Sequence, residues 1–550
     1  MFTLLDLFAG AGGLSTGFDM TEQFNIVGMS ENNPNAIKTY EKNHKGVKNY
    51  GNILKLPFED IKRECGDIDV IIGGPPCQGF SNANRQRRKL INGSNELVKA
   101  YVKAIEELKP KVFVMENVKT IDSDKHHFCV TYADEKHIKE DLLITPEDKD
   151  IVLYEGKYAD IISENIENVR ELTLINDELL YILKGLINPK KDIKKYLNKS
   201  GNKVGVKKII ESISDISSHE DWFINILQKS KTALTNILIE ESCNDEYRKA
   251  LQNFWNIQRL CLGIEELEEK DVIYQYKLGI SDDKIVVSVQ AYVVIDFIKK
   301  SFEKLKYKIS EGGVLKAAEF GVPQTRERFI LIGVSEEQYD EGLGVELPKP
   351  ILKNSSEFYS VYDAISDLEA YEPTTGSMSE KIERHLDRAP ENFYEKIVFN
   401  EDNDIIYNHV CTATRDKAKE RFALINQGEN FHNLPEAYKD TYDNPNRTQN
   451  TIYKRLRYDE PSDTVINVRK SMWIHPTKNR AISAREAARL QSFPDSYEFV
   501  GTKDSVYQQI GNAVPPILGR AVAEKVLELL KCKEKYKKLK EIYEDFKKVE

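Results

Sequence analysis

The first 120 residues alternate short apolar, β-branched runs with stretches of helical spacing, and that rhythm leaves few folds open. Phe2–Phe8, Phe24–Ser30, Val70–Gly73 and Val112–Met115 read as strands, and Asn35–Asn43 and Leu97–Leu108 as helices. Such repetition predicts an α/β fold: a doubly wound, mostly parallel sheet with helices on both faces and a ligand site at the strands' carboxyl ends. The rhythm stops near residue 121. Residues 121–285 carry helical spacing, as in Asp177–Leu186 and Trp222–Ile239, with no motif that joins a turn to chemistry. They read as an inserted, mainly helical module. Alternation resumes over 286–345, with a helix at Ala291–Leu305 and strands at Tyr307–Ile309 and Arg328–Gly333. Residues 346–480 are irregular and richer in Pro, Thr, Asn and Tyr, which predicts a smaller second domain. Helical spacing returns over 481–550, at Ser483–Gln491 and Leu518–Leu530, and the run 531–550 reads as a solvated Lys/Glu-rich helix.

A chain of 550 residues exceeds one core, so two or three domains are expected. The net charge of −10 looks unsuited to a nucleic-acid partner until it is located. Residues 121–285 hold 23 Lys/Arg against 32 Asp/Glu, and so carry nearly all of it. Elsewhere 446–489 has ten Lys/Arg against four Asp/Glu, and Arg85-Gln86-Arg87-Arg88-Lys89 is a local basic run. Phosphates respond to such patches, not to the global sum. The acidic module is expected to act away from DNA, in partner docking or regulation. Seven scattered cysteines without Cys-x-x-Cys spacing argue for a reducing compartment and against a disulfide framework or zinc cluster. With no apolar run of membrane-spanning length and no basic leader, cytoplasm is the expected location.

Four segments carry chemistry. Gly73-Gly74-Pro75-Pro76-Cys77 ends a buried strand in a rigid turn with a thiol at its tip, a good seat for a nucleophile. Asp6-Leu7-Phe8-Ala9-Gly10-Ala11-Gly12-Gly13 is glycine-rich but is neither a Gly-x-Gly-x-x-Gly pyrophosphate cradle nor a Walker loop. Glu31 follows the second strand, where a carboxylate can accept from ribose hydroxyls. A mononucleoside such as S-adenosylmethionine (SAM) suits this better than a dinucleotide, and a nicotinamide oxidoreductase lacks its fingerprint. Glu116-Asn117 closes the strand beside the cysteine turn, so a carboxyl and a thiol should share one rim. Gln324-Thr325-Arg326-Glu327-Arg328 offers arginines at alternating positions, suited to a carbonyl or a phosphate.

Together with Arg485–Asp495 and Gln509–Pro516, the blocks Asp6–Gly13, Gly74–Ser81, Met115–Val118 and Gln324–Arg328 make six, and in this order they resemble those of DNA cytosine-5 methyltransferases. The resemblance covers about 1–120, 290–345 and 480–530, and leaves the insertion unexplained. It implies a SAM-binding and catalytic domain over 1–120, continued at 286–345 and completed by 481–550, with 346–480 as the target-recognition domain. Phe8, Ala11 and Gly13 would line the SAM site, with Phe8 against the adenine and Glu31 on the ribose. Asn32, Asn52, Ile53, Pro76 and Leu97 would join them, and Asn512 and Val514 would close the site. Where the family usually has Gly-Asp-Ile, this chain has Gly51-Asn52-Ile53, which predicts somewhat weaker SAM binding.

The implied reaction starts from a poor nucleophile, C5 of cytosine, stacked inside a duplex. The base must be flipped out, after which Cys77 adds to C6 and makes C5 nucleophilic. Glu116 would hydrogen-bond N3 and the 4-amino group, while Arg328, with Arg326 beside it, would hold O2 or a flanking phosphate. No metal is needed. Ser81 and the following loop, with Arg85, Arg87 and Arg88, would close over the DNA. Thr464, in a Thr-plus-aliphatic pair, and Arg455, Arg457 and Arg469 are candidate base or phosphate contacts. Expected partners are double-stranded DNA and a cognate restriction endonuclease, with no membrane and a monomeric chain. RNA cytosine-5 methylation and a catalytically silent DNA-binding protein stand as the alternatives. Nothing in the sequence states the recognition site.

Overall fold

A computed structural model describes residues 1–76, 95–123, 126–199, 201–213, 220–277, 283–384, 389–399, 405–440 and 448–547. Among these, two units separate. One is drawn from Met1–Phe80, Ser94–Ser123 and Ile298–Glu550, the other from Asp124–Phe297.

The first unit is organised by an eight-stranded sheet. Strands β1 (Phe2–Leu7), β2 (Phe24–Ser30), β3 (Lys48–Asn49), β4 (Val70–Gly73) and β5 (Val112–Asn117) run parallel in the order β5-β4-β1-β2-β3. β1 is central, so the chain winds outward to β3 and then crosses back to β4. That reversal opens a crevice beyond the carboxyl ends of β1 and β4. All four residues of β4 and the last four of β1 are buried; β4 is apolar throughout, whereas β1 includes the buried carboxyl of Asp6. Beyond β5 the direction changes: strand Glu327–Ser335 pairs antiparallel with it, and Tyr307–Ile309 and Gly313–Lys316 pair antiparallel with Glu327–Ser335.

Helix Gly13–Asp19 starts where the glycine-rich turn ends. Its glycines serve close approach. A Cβ on Gly17 would overlap the backbone of Pro516, Gly519 and Arg520, and one on Gly13 would overlap the Val514 carbonyl. Helix Pro516–Leu529 therefore packs backbone-to-backbone on Gly13–Asp19, and the last part of the chain is joined to the first. The same core takes in Val361, Leu456, Val465 and Trp473, so 346–480 clusters with the sheet instead of forming a separate body. Within it, Phe422, Ile425, Phe431, Leu434, Tyr453 and Ile474 make a small core of their own.

The second unit contains more strand than helical spacing suggested. Glu147–Glu155 and Tyr274–Lys277 flank Lys284–Val293 antiparallel, and His127–Cys129 pairs with its end. Glu147-Asp148-Lys149-Asp150 carries too much charge to be read as a strand, yet the ladder to Val287–Ala291 holds it extended. Ala291–Val293, predicted as helix, belongs to this sheet, and the helix begins at Val294. Helices Asp221–Glu240 and Asp245–Glu269 are the longest contributors to the core, where buried Gln258 accepts from the Leu174 and Ile175 amides and donates to Leu172 O. The C-terminal run also differs from expectation. Among its described residues it is helical over Leu539–Lys547, with Leu539 and Ile542 buried in the main core and the Leu539 amide donating to Glu524 at 2.7 Å.

Among the described residues no helix is long and apolar enough to cross a membrane, and no cluster of His, Cys, Asp and Glu is arranged to hold a metal. Gly17→Ala is expected to destabilise the chain by about 1–3 kcal/mol, because backbone atoms, not a flexible side chain, occupy the space. The denaturation midpoint measures it, and an unchanged midpoint would mean that the two helices have room to part.

Candidate active site

Because β4 and β5 are parallel neighbours with Gly73 opposite Met115, the turn after β4 and the end of β5 share a rim. The contact is close: a Cβ on Gly74 would lie 2.6 Å from Glu116 Oε2, and Asn117 Nδ2 donates to Pro75 O at 2.9 Å. Glycine at 74 thus lets the turn pass directly over the carboxyl group. Pro76 is exposed at the end of this described stretch, and Cys77, Ser81, Arg85, Arg87 and Arg88 lie outside the described residues.

Glu116 is paired. Arg328 Nε stands 2.6 Å from Glu116 Oε1, with side-chain exposures of 11% and 14%. Reversed strand direction delivers this partner, since the start of Glu327–Ser335 lies against the end of β5, with Ile330 opposite Glu116. Burial holds the Glu116 carboxyl above the usual carboxylate range, and the guanidinium pulls it only part of the way back. Burial likewise lowers Arg328 against the opposing effect of Glu116. The pair is a buried carboxyl, raised by its burial, fixed beside a guanidinium at the end of β5.

Around the neighbouring strand ends, Glu31 organises the backbone. Its Oε2 accepts from Gly10 N at 2.8 Å, and its Oε1 from the amides of Asn32 and Asn33 at 2.8 and 2.7 Å. Phe8 is half-buried in a left-handed conformation (φ 57°) that turns the chain out of β1. Asn49 Oδ1 accepts from the amides of Glu31 and Gly51, and Asn52 Oδ1 from Leu54 N at 3.0 Å, capping the turn that contains buried Ile53. Ala11 and Gly13 are buried under the turn, Val514 is buried against Gly13, and Asn512 is exposed and accepts from Gln508 Nε2. Leu97 is half-buried in the first turn of helix Asn95–Leu108.

Beneath the glycine turn lies a polar cluster that pattern reading missed. Asp6 is buried and accepts from Tyr40 OH at 3.2 Å, and burial pushes its carboxyl up to about 7 against the hydrogen bonds of Ser15 and Tyr40. Tyr497 OH donates to Ala11 O, so a residue between helices Ala484–Leu490 and Lys503–Asn512 braces the first loop. Asp6 opens the first quoted block; Tyr497 offered no local signal.

Several predicted contacts face inward. Arg326, expected beside Arg328, is 1% exposed and donates to Val465 O and Gly511 O, both at 2.9 Å. Arg455 is caged by the carbonyls of Phe422, Ile425, His475 and Lys478 and by Asn479 Oδ1, and has no donor left for a base or phosphate. Arg457 is exposed but paired with Asp459, Arg469 pairs with Asp504 at 3.0 Å, and Thr464 is half-buried.

A family model for C-5 cytosine-specific DNA methylases matches residues 2–141 and 284–528. The chain is 25% identical over 538 residues to the type II methyltransferase M.DdeI of Desulfomicrobium norvegicum, covering 95% of this chain and 88% of that protein. It is 23% identical over 535 residues to M1.HphI of Haemophilus parahaemolyticus, covering 96% and 87%. A solved structure assigned as a prophage-encoded DNA modification methyltransferase (E. coli) aligns with TM-score 0.52 and 20% identity over 96% of this chain and 100% of that one, a likeness of fold. The stretch between 141 and 284 falls outside the family match.

Replacing Arg328 by Ala removes the one influence that lowers Glu116, so the carboxyl should titrate at higher pH than in the unaltered chain. Carbon NMR of labelled glutamate reads this directly, and a shift to lower pH would contradict the pairing.

Proposed function

The chain belongs to the C-5 cytosine-specific DNA methylase family, and on that premise we propose which residues carry methylation, from what donor and in what setting. Methylation at C5 of cytosine in DNA is the activity. The proposed donor is SAM, held at the carboxyl ends of β1 and β2 by Phe8, Ala11, Gly13, Glu31, Asn32, Asn52 and Ile53, with Pro76, Leu97, Asn512 and Val514 at its margin. What supports the donor is the fit of this rim: a carboxylate at the end of β2, a half-buried aromatic at the end of β1, and open space over Gly10 and Gly51, where an added Cβ would meet nothing within 4 Å. Such a cradle suits a nucleoside and has no phosphate-binding loop. When bound, SAM supplies an electrophilic methyl group.

The remaining chemistry falls to the chain. Duplex DNA offers its cytosine only after the base is extruded, at a cost of a few kcal/mol. Cys77 adds as thiolate to C6, which breaks the C5–C6 double bond and places electron density on C5. Glu116, in its protonated form, would donate toward N3 and take up the charge that would otherwise collect on the ring, and burial raises its carboxyl in that direction. Arg328 holds Glu116 in place and faces O2. After methylation the C5 proton leaves to a base, the double bond re-forms and Cys77 is expelled. The observation that carries this reading is the Glu116–Arg328 pair packed on the turn that leads to Cys77.

Ser81, Arg85, Arg87, Arg88, Arg457, Thr464 and Arg469 are proposed DNA contacts. The two relatives named above are type II methyltransferases, which supports a restriction–modification setting; a companion endonuclease and a monomeric enzyme are part of the proposal.

Cys77→Ser should abolish methyl transfer from labelled SAM to duplex DNA while both ligands still bind. Duplex carrying 5-fluorocytosine at the target should form a covalent adduct, because fluorine cannot leave as a proton does; active enzyme that never forms one would rule out addition at C6. Glu31→Ala should weaken SAM binding by roughly tenfold or more, the worth of a charge-assisted hydrogen bond, as read by calorimetry; unchanged affinity would place the donor elsewhere.

A further inference from the structure

The segment that delivers Arg328 to Glu116 also grips a second piece of chain from both sides. Gln324 Oε1 accepts from Val465 N at 2.8 Å, and Arg326 donates to Val465 O at 2.9 Å. Both side chains are fully buried. Neither can move alone: Gln324 Nε2 donates to Leu490 O and Gln491 Oε1, and Arg326 donates a second bond to Gly511 O. The backbone adds to the grip, with Thr325 N donating to Ser462 O at 2.8 Å and Ser462 N to Pro323 O at 3.0 Å. Thr325 Oγ1 also donates to Ser462 O at 3.2 Å. Gly511 meets Ile466 so closely that a Cβ there would lie 2.6 Å from Ile466 O.

On either side of clamped Val465 the chain faces outward. Thr464 is half-buried, Asp463 is exposed, and Ile466 is 41% exposed, unusual for an isoleucine between two buried residues. One five-residue run, Gln324–Arg328, therefore holds the reacting carboxyl at one end and the outward-facing 463–466 strip at the other. Gln324 and Arg326 are buried on the Val465 side, Thr325 is exposed and bonds Ser462 O, and Arg328 meets Glu116.

We infer that Gln324 and Arg326 are positioning residues that fix the register of the 463–466 strip against the Glu116–Arg328 pair, so that discrimination among DNA sequences is set through them although neither reaches DNA. The inference rests on the proposed function. A loosened clamp leaves Glu116, Arg328 and the donor site intact but lets the strip slide relative to the flipped base. The consequence is a loss of preference, carried in KM for duplex more than in kcat, and not a uniform loss of activity.

The test uses the full-length enzyme, SAM and a library of duplexes with randomised flanks around a cytosine. Arg326→Lys keeps the charge but reaches only one of the two carbonyls. It is expected to lower the preference for the best site over single-base variants by about tenfold, the usual worth of one mismatched pair, with SAM affinity within about twofold of the unaltered enzyme. Hydrogen exchange at the Val465 amide should accelerate in Gln324→Ala, which reports the clamp itself. A folded Arg326→Lys enzyme that keeps its full preference overturns the inference. Should that variant not fold, Thr325→Val, which removes only the hydroxyl's bond to Ser462 O and keeps the amide's, should reduce the preference about threefold, and no reduction again overturns it. An unaltered enzyme that transfers no methyl group to any duplex would overturn the proposed function instead.

Discussion

The shared direction of β1, β2, β4 and β5 is the constraint on which the site depends. Parallel strands bring their carboxyl ends to one edge, so turns far apart in sequence open on a common rim. The glycine turn, Glu31, the Gly74–Pro76 turn and Glu116 all occupy those ends. The reversed strand completes the arrangement. Had Glu327–Ser335 been parallel to β5, its first residues would lie at the opposite edge, and Arg328 could not pair with Glu116. A mixed sheet, not a purely parallel one, makes the acid–cation pair possible.

Arginine is used here mostly as an internal fastener. Arg485 donates to the carbonyls of Tyr407, Pro494 and Tyr497, and burial lowers it to about 10. Arg489 pairs with Asp367 and Asp495, and Arg384 also pairs with Asp495 at 2.7 Å. Buried ion pairs of this kind add little net stability against apolar packing, but removing one member costs about 3–5 kcal/mol, since a charge is left unpaired. They therefore specify geometry: they tie the irregular segment and the C-terminal helices to the sheet that bears the site. Arg326 and Arg455 belong with them, which is why a local count of basic residues overstates how many donors face DNA.

The parts that were legible were those governed by local rules. Apolar runs with β-branched residues became β1, β2, β4 and β5 because each is buried over most of its length, a requirement that local composition sets. Helix Pro34–Asn43 has Asn33 as its cap, accepting from Asn35 N and Ala36 N, with proline at its first position, both written in the sequence. Glu147–Glu155 and Ala291–Val293 were illegible as strands because their extension is imposed by a neighbour in the ladder. Likewise, no local pattern distinguishes Arg328, which meets a carboxylate, from Arg326 two residues earlier, which meets carbonyl groups.

By itself the chain's order of residues determined the class of fold, the edge of the sheet where chemistry would lie, and the kinds of group available there. Those follow from periodicity and from side-chain chemistry, which act over a few residues. Only tertiary structure decided which donors point at the rim and which are consumed inside, and how 463–466 is seated against Gln324–Arg326. Those outcomes depend on carbonyls and carboxylates contributed by segments more than a hundred residues away, and a buried charge goes wherever such partners are found.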